Sequence, residues 1–164
     1  GSGSVCSTRQ VAGVGVPSWS AIEQMRFVFP DCGIMLDGGC KTSGDIVKAL
    51  AIGADAVILG RLLADTKEAL GERRRRGEVF SDIMGHSTTV GITDKQFRGM
   101  ASREALEDAG KEVNVEGVST WIPVKGTVKE RIEELSSGLR AGFAYLGARN
   151  ITELRQKAEW IRVG

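Results

Sequence analysis

The chain has 164 residues, enough for one domain with a sizeable core, and its 41% hydrophobic and 26% charged residues are ordinary for a soluble globular protein. Lys and Arg number 22 against 21 Asp and Glu, and aromatics make up 5%; this excludes a global field for nucleic acid or an acidic membrane and leaves few platforms for stacking single-stranded bases. Three irregularly spaced cysteines, one histidine and no Cys-x-x-Cys pair exclude a disulfide framework and a zinc set, and no apolar run reaches the ~20 residues of a membrane span.

The same counts predict a reducing, cytoplasmic compartment. The chain opens in a polar loop, Gly1 to Arg9, that holds Cys6 among glycines, serines and a threonine. Pro17 and Ser18 then start a helical pattern with Ile22, Met25 and Phe29 on one face. Gly33 to Gly39 predicts a short strand ending in a glycine-rich turn. Its apolar run is continuous, which suits a parallel strand covered on both faces. Thr42 or Ser43 caps a helix over 44–52 that Gly53 stops. Asp55 to Gly60 predicts a second buried strand, again ending on glycine and followed by Arg61-Leu-Leu-Ala64.

This β-turn-α-β unit has the roughly thirty-residue size of a parallel crossover. Ligands of α/β folds sit at the carboxyl ends of the strands. The loops Asp37–Gly39 and Gly60–Arg61 are therefore expected side by side at one site. Gly71 to Phe97 shows little regularity. The basic run Arg73–Arg76 reads as a solvated loop, and His86 as a solvated histidine. Arg98 to Ser102 is a small-residue turn, 103–112 is weakly helical, and 113–124 is extended. Lys125-Gly-Thr127 starts a long helix with Val128, Ile132, Leu135, Leu139 and Phe143 at helical spacing, closed by Gly147. A last helix runs from Ile151 to Trp160. Two parallel strands cannot close a core alone, so either another chain or a longer protein completes the sheet.

Backbone N–H groups and hydroxyls around Cys6 can stabilise a thiolate, although a loop cysteine read alone is more often inert than catalytic. The loop Gly3-Ser-Val-Cys-Ser-Thr-Arg9 is followed, in order, by Gly13-Val-Gly-Val-Pro17, Asp37-Gly-Gly39, Gly44-Asp-Ile-Val-Lys-Ala49, Gly53-Ala-Asp55, Gly60-Arg-Leu-Leu-Ala64, Gly99-Met100, Glu116-Gly117 and Lys125-Gly126. This ordered set resembles the IMP dehydrogenase and GMP reductase family over nearly the whole chain.

The resemblance implies an α/β fold, a TIM (β/α)8 barrel. This chain, 1–164, would supply its last two strands, the cysteine loop (1–16), a flap region (97–124) and the C-terminal helices. Six strands would lie outside it. The resemblance also implies the roles of residues. Cys6 would attack C2 of a purine, with Thr8 and Glu116 relaying protons. Ser4, Gly39, Gly60 and Arg61 would hold a 5′-phosphate and Asp37 the ribose hydroxyls. Gly38, Gly99, Met100, Ala101 and Gly117 would complete the substrate site. Met100 with Ala141, Gly142, Phe143 and Ala144 would meet the cofactor, the helix residues reaching that of a neighbouring subunit. Carbonyls of Gly1, Gly3, Cys6 and Arg9 would ligate potassium. A purine nucleotide monophosphate, NADPH or NAD, and a homotetramer are the implied partners, with neither nucleic acid nor membrane.

Plain structural roles stand beside these: Asp37 as a turn cap, Gly39 and Gly60 as packing glycines, Glu116 as an exposed carboxylate, Thr8 as an N-cap, and Cys32 and Cys40 as structural thiols. In the family the dehydrogenase hydrolyses its adduct with an Arg-Tyr pair on a long flap, and the reductase has a shorter flap without it. Here Met100 to Glu116 spans 16 steps, no Arg-Tyr pair occurs, and the only tyrosine is Tyr145. Cys40 after the paired glycines, Phe97, and Ile161-Arg-Val163 also look reductase-like. The expectation is a GMP reductase forming IMP; the alternatives are an IMP dehydrogenase or a non-catalytic nucleotide-binding fragment. Arg61 departs from both branches, which usually place a small residue there.

Overall fold

The computed structural model describes residues 2–81, 85–112 and 114–161. The elements, in chain order, are α1 (Thr8–Ala12), α2 (Ser18–Val28), β1 (Met35–Asp37), α3 (Ser43–Ile52), β2 (Ala56–Ile58), α4 (Arg61–Ala64), β3 (Arg73–Ser81), β4 (Ser87–Arg98), α5 (Arg103–Asp108), β5 (Ser119–Pro123), α6 (Val128–Tyr145) and α7 (Ile151–Lys157). The fold is α/β. Among the described residues no helix is long and apolar enough to cross a membrane.

β1 and β2 pair in parallel, with Met35 opposite Ala56 and Asp37 opposite Ile58, and α3 is the crossover between them. A reciprocal cap starts α3. Thr42 Oγ1 accepts the Asp45 N–H at 3.1 Å, and the Asp45 carboxylate accepts the Thr42 N–H at 3.0 Å. Thr127 and Glu130 repeat this arrangement at the start of α6. Ile46, Leu50 and Ala51 of α3, Leu135 of α6 and Leu154 of α7 form the main core with Ala148. Each large aliphatic side chain buried there contributes about 1.5–3 kcal/mol.

Asp55, at the entry to β2, holds this unit together. Its carboxylate accepts from Arg155 at 2.8 Å, from the Ile34 N–H at 2.7 Å and from Arg26 at 2.6 Å. α7 and α2 are thereby tied to the strand pair. Those donors hold the Asp55 carboxyl far below the usual carboxylate range, Arg155 contributing most.

Several expectations are corrected. Among the described residues the strand pair is covered on one face: Leu36 and Val57 pack on Ile22, Ala49 and Ala54, while Met35 is 61% and Ile58 45% exposed. Side chains alternate along a strand, and α2 and α3 supply a single layer. On α2 only Ile22 is buried; Met25 and Phe29 point to solvent. α7 stops at Lys157, because Ala158 turns to extended backbone and the chain carries Trp160 edge-on against Trp19, 4.1 Å between ring centres.

The segment expected to be irregular is a long antiparallel hairpin. β3 pairs with β4 from Arg73 opposite Lys95 to Ser81 opposite Ser87, and β5 adds a third strand. The basic run is thus a strand, not a solvated loop. Arg74 lies 4.3 Å from the Trp121 ring centre, and Arg74 and Arg76 reach the buried Asp94 at 3.4 and 2.8 Å. Lys95 is fully buried and donates to the carbonyls of Thr66 and Ala69, fastening the hairpin to the exit of α4. His86 is exposed, as expected.

Candidate active site

The cysteine loop is gripped from two sides by backbone. On one side stands the turn after β1. Gly38 (φ 83°) lies so close that a Cβ there would meet the Gly3 nitrogen at 2.8 Å, and Ser2 Oγ donates to the Asp37 carbonyl at 3.4 Å. Glycine is needed at 38 for both its positive φ and this approach. On the other side the chain returns from α5. Cys6 and Gly117 form an antiparallel bridge, flanked by Ser7 N–H to Glu116 carbonyl at 2.8 Å and Val118 N–H to Val5 carbonyl at 2.9 Å. Gly99 and Gly117 admit this layering, since a Cβ on Gly99 would meet the Val5 carbonyl at 2.8 Å and one on Gly117 the Ser102 nitrogen at 2.9 Å. Ser102, fully buried, caps α5 through the Ala105 N–H.

The Cys6 thiol donates to Thr8 Oγ1 at 3.3 Å. Within the described residues the Thr8 hydroxyl and N–H lower its pKa, against an opposing effect of burial. Both Thr8 groups favour the thiolate. Burial, with the Asp45 charge, pushes the Cys40 thiol up instead, which suits a structural thiol.

Beside the loop lies a cavity of about 600 Å³, within the size range of small-molecule sites. Ser4, Asp37, Gly38, Gly39, Gly60, Arg61, Gly99 and Met100 all line it. The expected meeting of the two strand-end loops, Asp37–Gly39 and Gly60–Arg61, is observed. The wall also carries residues that local pattern did not reveal: Lys41, Asp65, Lys125 and Arg131. Asp65 stands four residues after Arg61 on the α4 turn, a spacing that signals a pair. Arg131 comes from α6, 66 residues beyond Asp65, and no local signal announces it.

The whole chain, residues 1–164, matches the profile of the IMP dehydrogenase / GMP reductase domain. The chain belongs to this family. Its relatives in the IMP dehydrogenase / GMP reductase family include inosine-5′-monophosphate dehydrogenases of Aquifex aeolicus, 41% identical over 166 residues, and of Thermoplasma acidophilum, 40% identical over 173 residues. Each match covers 99% of this chain and 33% of the relative. A GMP reductase from Trypanosoma brucei, solved in complex with guanosine 5′-monophosphate, superposes with a TM-score of 0.81 at 36% identity, covering 100% of this chain and 33% of that one. The chain thus spans about a third of the length of the relatives it matches.

Of the residues that family membership singles out, Cys6, Thr8, Glu116, Gly117 and Ala101 adjoin one another through the loop contacts but do not line the cavity itself. Thr8 is the first residue of α1 and not its cap; Ser7 holds that position. Glu116 is half-buried, its backbone held between Ala101 and Ser7. Ala141, Gly142, Phe143 and Ala144 stand apart on α6. Phe143 packs into the core and Gly142 faces Val47 of α3, while Ala141 and Ala144 are exposed.

Of the carbonyls expected around potassium, that of Gly3 accepts the Cys6 N–H and that of Arg9 the Gly13 N–H, each at 3.1 Å. Two carbonyls of that set are thus engaged within the loop. Gly1 lies outside the described residues, as do Arg162 and Val163. Among the described residues no cluster of three or more His, Cys, Asp or Glu is gathered for a metal.

Proposed function

We propose that this chain is the cysteine-bearing, phosphate-gripping part of a GMP reductase, which converts GMP to IMP. The observation that carries the reading is the return of the short flap onto the nucleophile loop. Glu116 and Gly117 are backbone-bonded to Ser7 and Cys6. The 16 steps from Met100 are taken up by α5 and that return, and the sequence holds no Arg-Tyr pair.

The roles follow. The Cys6 thiolate adds to C2 of the guanine ring and forms a C–S bond. The exocyclic C2–N bond breaks and the nitrogen leaves as ammonia, its protons delivered through Thr8 and Glu116. Bound NADPH would supply a hydride to C2; Cys6 then takes back the electron pair of the C–S bond as thiolate. Ser4, Gly39, Gly60 and Arg61 hold the 5′-phosphate and Asp37 the ribose. Met100, almost fully exposed at the cavity rim, faces base and cofactor. The exposed Ala141 and Ala144 contact the cofactor of a neighbouring subunit in a homotetramer.

The test is cofactor absorbance in the full-length protein with GMP and NADPH. Oxidation of NADPH is expected; none, with an active control enzyme, overturns the reading. One observation favours a second reading: the 41% identity to an inosine-5′-monophosphate dehydrogenase. NAD reduction in the presence of IMP decides for that reading.

A further inference from the structure

Arg61 is held in an unusual way. Its Nη1 lies 3.7 Å from Asp65 Oδ2, an ion pair beyond hydrogen-bond reach, and its guanidinium carbon stands 6.0 Å from the Phe97 ring centre. No hydrogen bond of its side chain to any described residue is present. The guanidinium is fixed on two sides by charge and by an aromatic face, yet its N–H fork is unspent. It lines the cavity beside Gly60, with Gly39 and Ser4 in the same wall.

Asp65 achieves this because it is occupied elsewhere. The carboxylate is 8% exposed, and both of its oxygens accept from Arg131 Nη2 at 3.3 Å. Arg131 also donates to Glu134 at 2.6 Å, and the Asp65 carbonyl takes the Lys125 N–H at 2.6 Å. Arg131 keeps the buried carboxylate charge-balanced, so Asp65 attracts Arg61 without consuming its donors. A buried carboxylate facing Arg61 alone would close on it at full hydrogen-bond contact and withdraw it from the cavity.

We propose that Asp65, balanced by Arg131, is the positioning residue that keeps the Arg61 fork turned to the cavity, where the proposed function places the dianionic phosphate monoester, and that it thereby sets the preference for nucleotide over nucleoside. The planar fork of arginine matches two phosphate oxygens, which the backbone amides of glycine loops alone do not offer as positive charge. The inference rests on the nucleotide-binding half of the proposed function and not on the direction of its redox chemistry.

The experiment is calorimetric titration of the full-length protein with GMP, IMP, guanosine and inosine. The ratio of nucleotide to nucleoside affinity is the readout, since a merely structural role would lower both together. Arg61→Ala is expected to cut that ratio about 10- to 100-fold. Added guanidinium ion should restore part of it. Asp65→Asn, which keeps the shape and leaves Arg61 in place, is expected to cut it several-fold. The double substitution should be no worse than Arg61→Ala alone.

An unchanged ratio in Arg61→Ala overturns the proposal. An unchanged ratio in Asp65→Asn, or losses that simply add, overturns the positioning role. Absence of nucleotide binding in the unaltered protein overturns this proposal together with the nucleotide reading. Binding with the expected ratios but without NADPH oxidation removes only the reductase reading and supports the positioning role.

Discussion

Cys6 Sγ and Thr8 Oγ1 stand 3.3 Å apart, with the hydroxyl two residues beyond the thiol and at the first position of α1. The hydroxyl donates to sulfur once the thiol ionises, and it is among the groups that lower the thiol pKa. Thr8→Val removes that donor, so less thiolate exists at neutral pH. Alkylation of Cys6 by iodoacetamide should rise through a midpoint below that of an ordinary thiol in the unaltered protein. In Thr8→Val the midpoint should move to higher pH, with a several-fold slower reaction at pH ~7. Superimposable profiles would remove Thr8 from the account.

Gly117→Ala tests the layering of the flap on the nucleophile loop. The added methyl meets backbone atoms, the Ser102 nitrogen at 2.9 Å and the Val5 carbonyl at 3.2 Å, and neither can swing aside as a side chain would. The Cys6 loop must shift, and a displacement of about 1 Å costs on the order of 100-fold in turnover. Steady-state kinetics should show kcat falling more than KM rises. A variant with unaltered kcat would mean that the two backbones need not touch.

Asp55→Asn should destabilise the fold at neutral pH by about 1 kcal/mol, a value kept small because the carboxylate is 43% exposed. The sign with pH follows from the depressed folded-state pKa. The ionised pair with Arg155 and Arg26 contributes fully above the unfolded carboxylate pKa of about 3.9 and is lost as pH falls through the folded value. Urea melts of the two proteins should therefore differ at pH ~7, begin to converge only as pH falls below ~4, and coincide at a pH as low as the depressed folded value. An equal gap at both ends of that range would exclude the ion pairs as its source.

Lys95→Met replaces a fully buried ammonium with an apolar chain of similar length. It leaves the Thr66 and Ala69 carbonyls without their donor, a loss of about 1–3 kcal/mol at the hairpin base. Burial also lowers the Lys95 pKa, so the unfolded chain holds this proton to higher pH than the folded one, and titration of Lys95 by itself makes the fold relatively more stable as pH rises through that range. Hydrogen exchange at 90–98 should accelerate in the variant. Unchanged protection there would show that the hairpin stands without this anchor.

The parts legible in the sequence were those coded locally. Thr42 with Asp45 and Thr127 with Glu130 announce two helices by their spacing, and Gly53 closes the first. Gly39 and Gly60 mark strand ends, so the meeting of their loops follows from the order of strand, glycine and helix alone. The hairpin was not legible. Arg73 to Arg76 carry no apolar alternation. What makes them a strand is Asp94 under Arg74 and Arg76 and Trp121 under Arg74, partners brought from far along the chain. Arg131 stayed hidden for the same reason, since its meaning comes from Asp65 on another helix. The continuous apolar run of β1 misled differently. It reported what a strand is able to bury, and only one of its faces finds a cover among the described residues.

The close approach of Gly38 to Gly3, where an added Cβ would meet the Gly3 nitrogen at 2.8 Å, has a practical corollary for protein engineering. Segments 2–6, 37–39 and 99–102 with 116–118 interlock through main-chain atoms, so the nucleophile loop is not a transplantable cassette. A chimera that swaps one of these segments for a homologue's inherits the other two as a mould. Recombination of this domain with its relatives should therefore succeed where crossovers keep all of these pieces from a single parent.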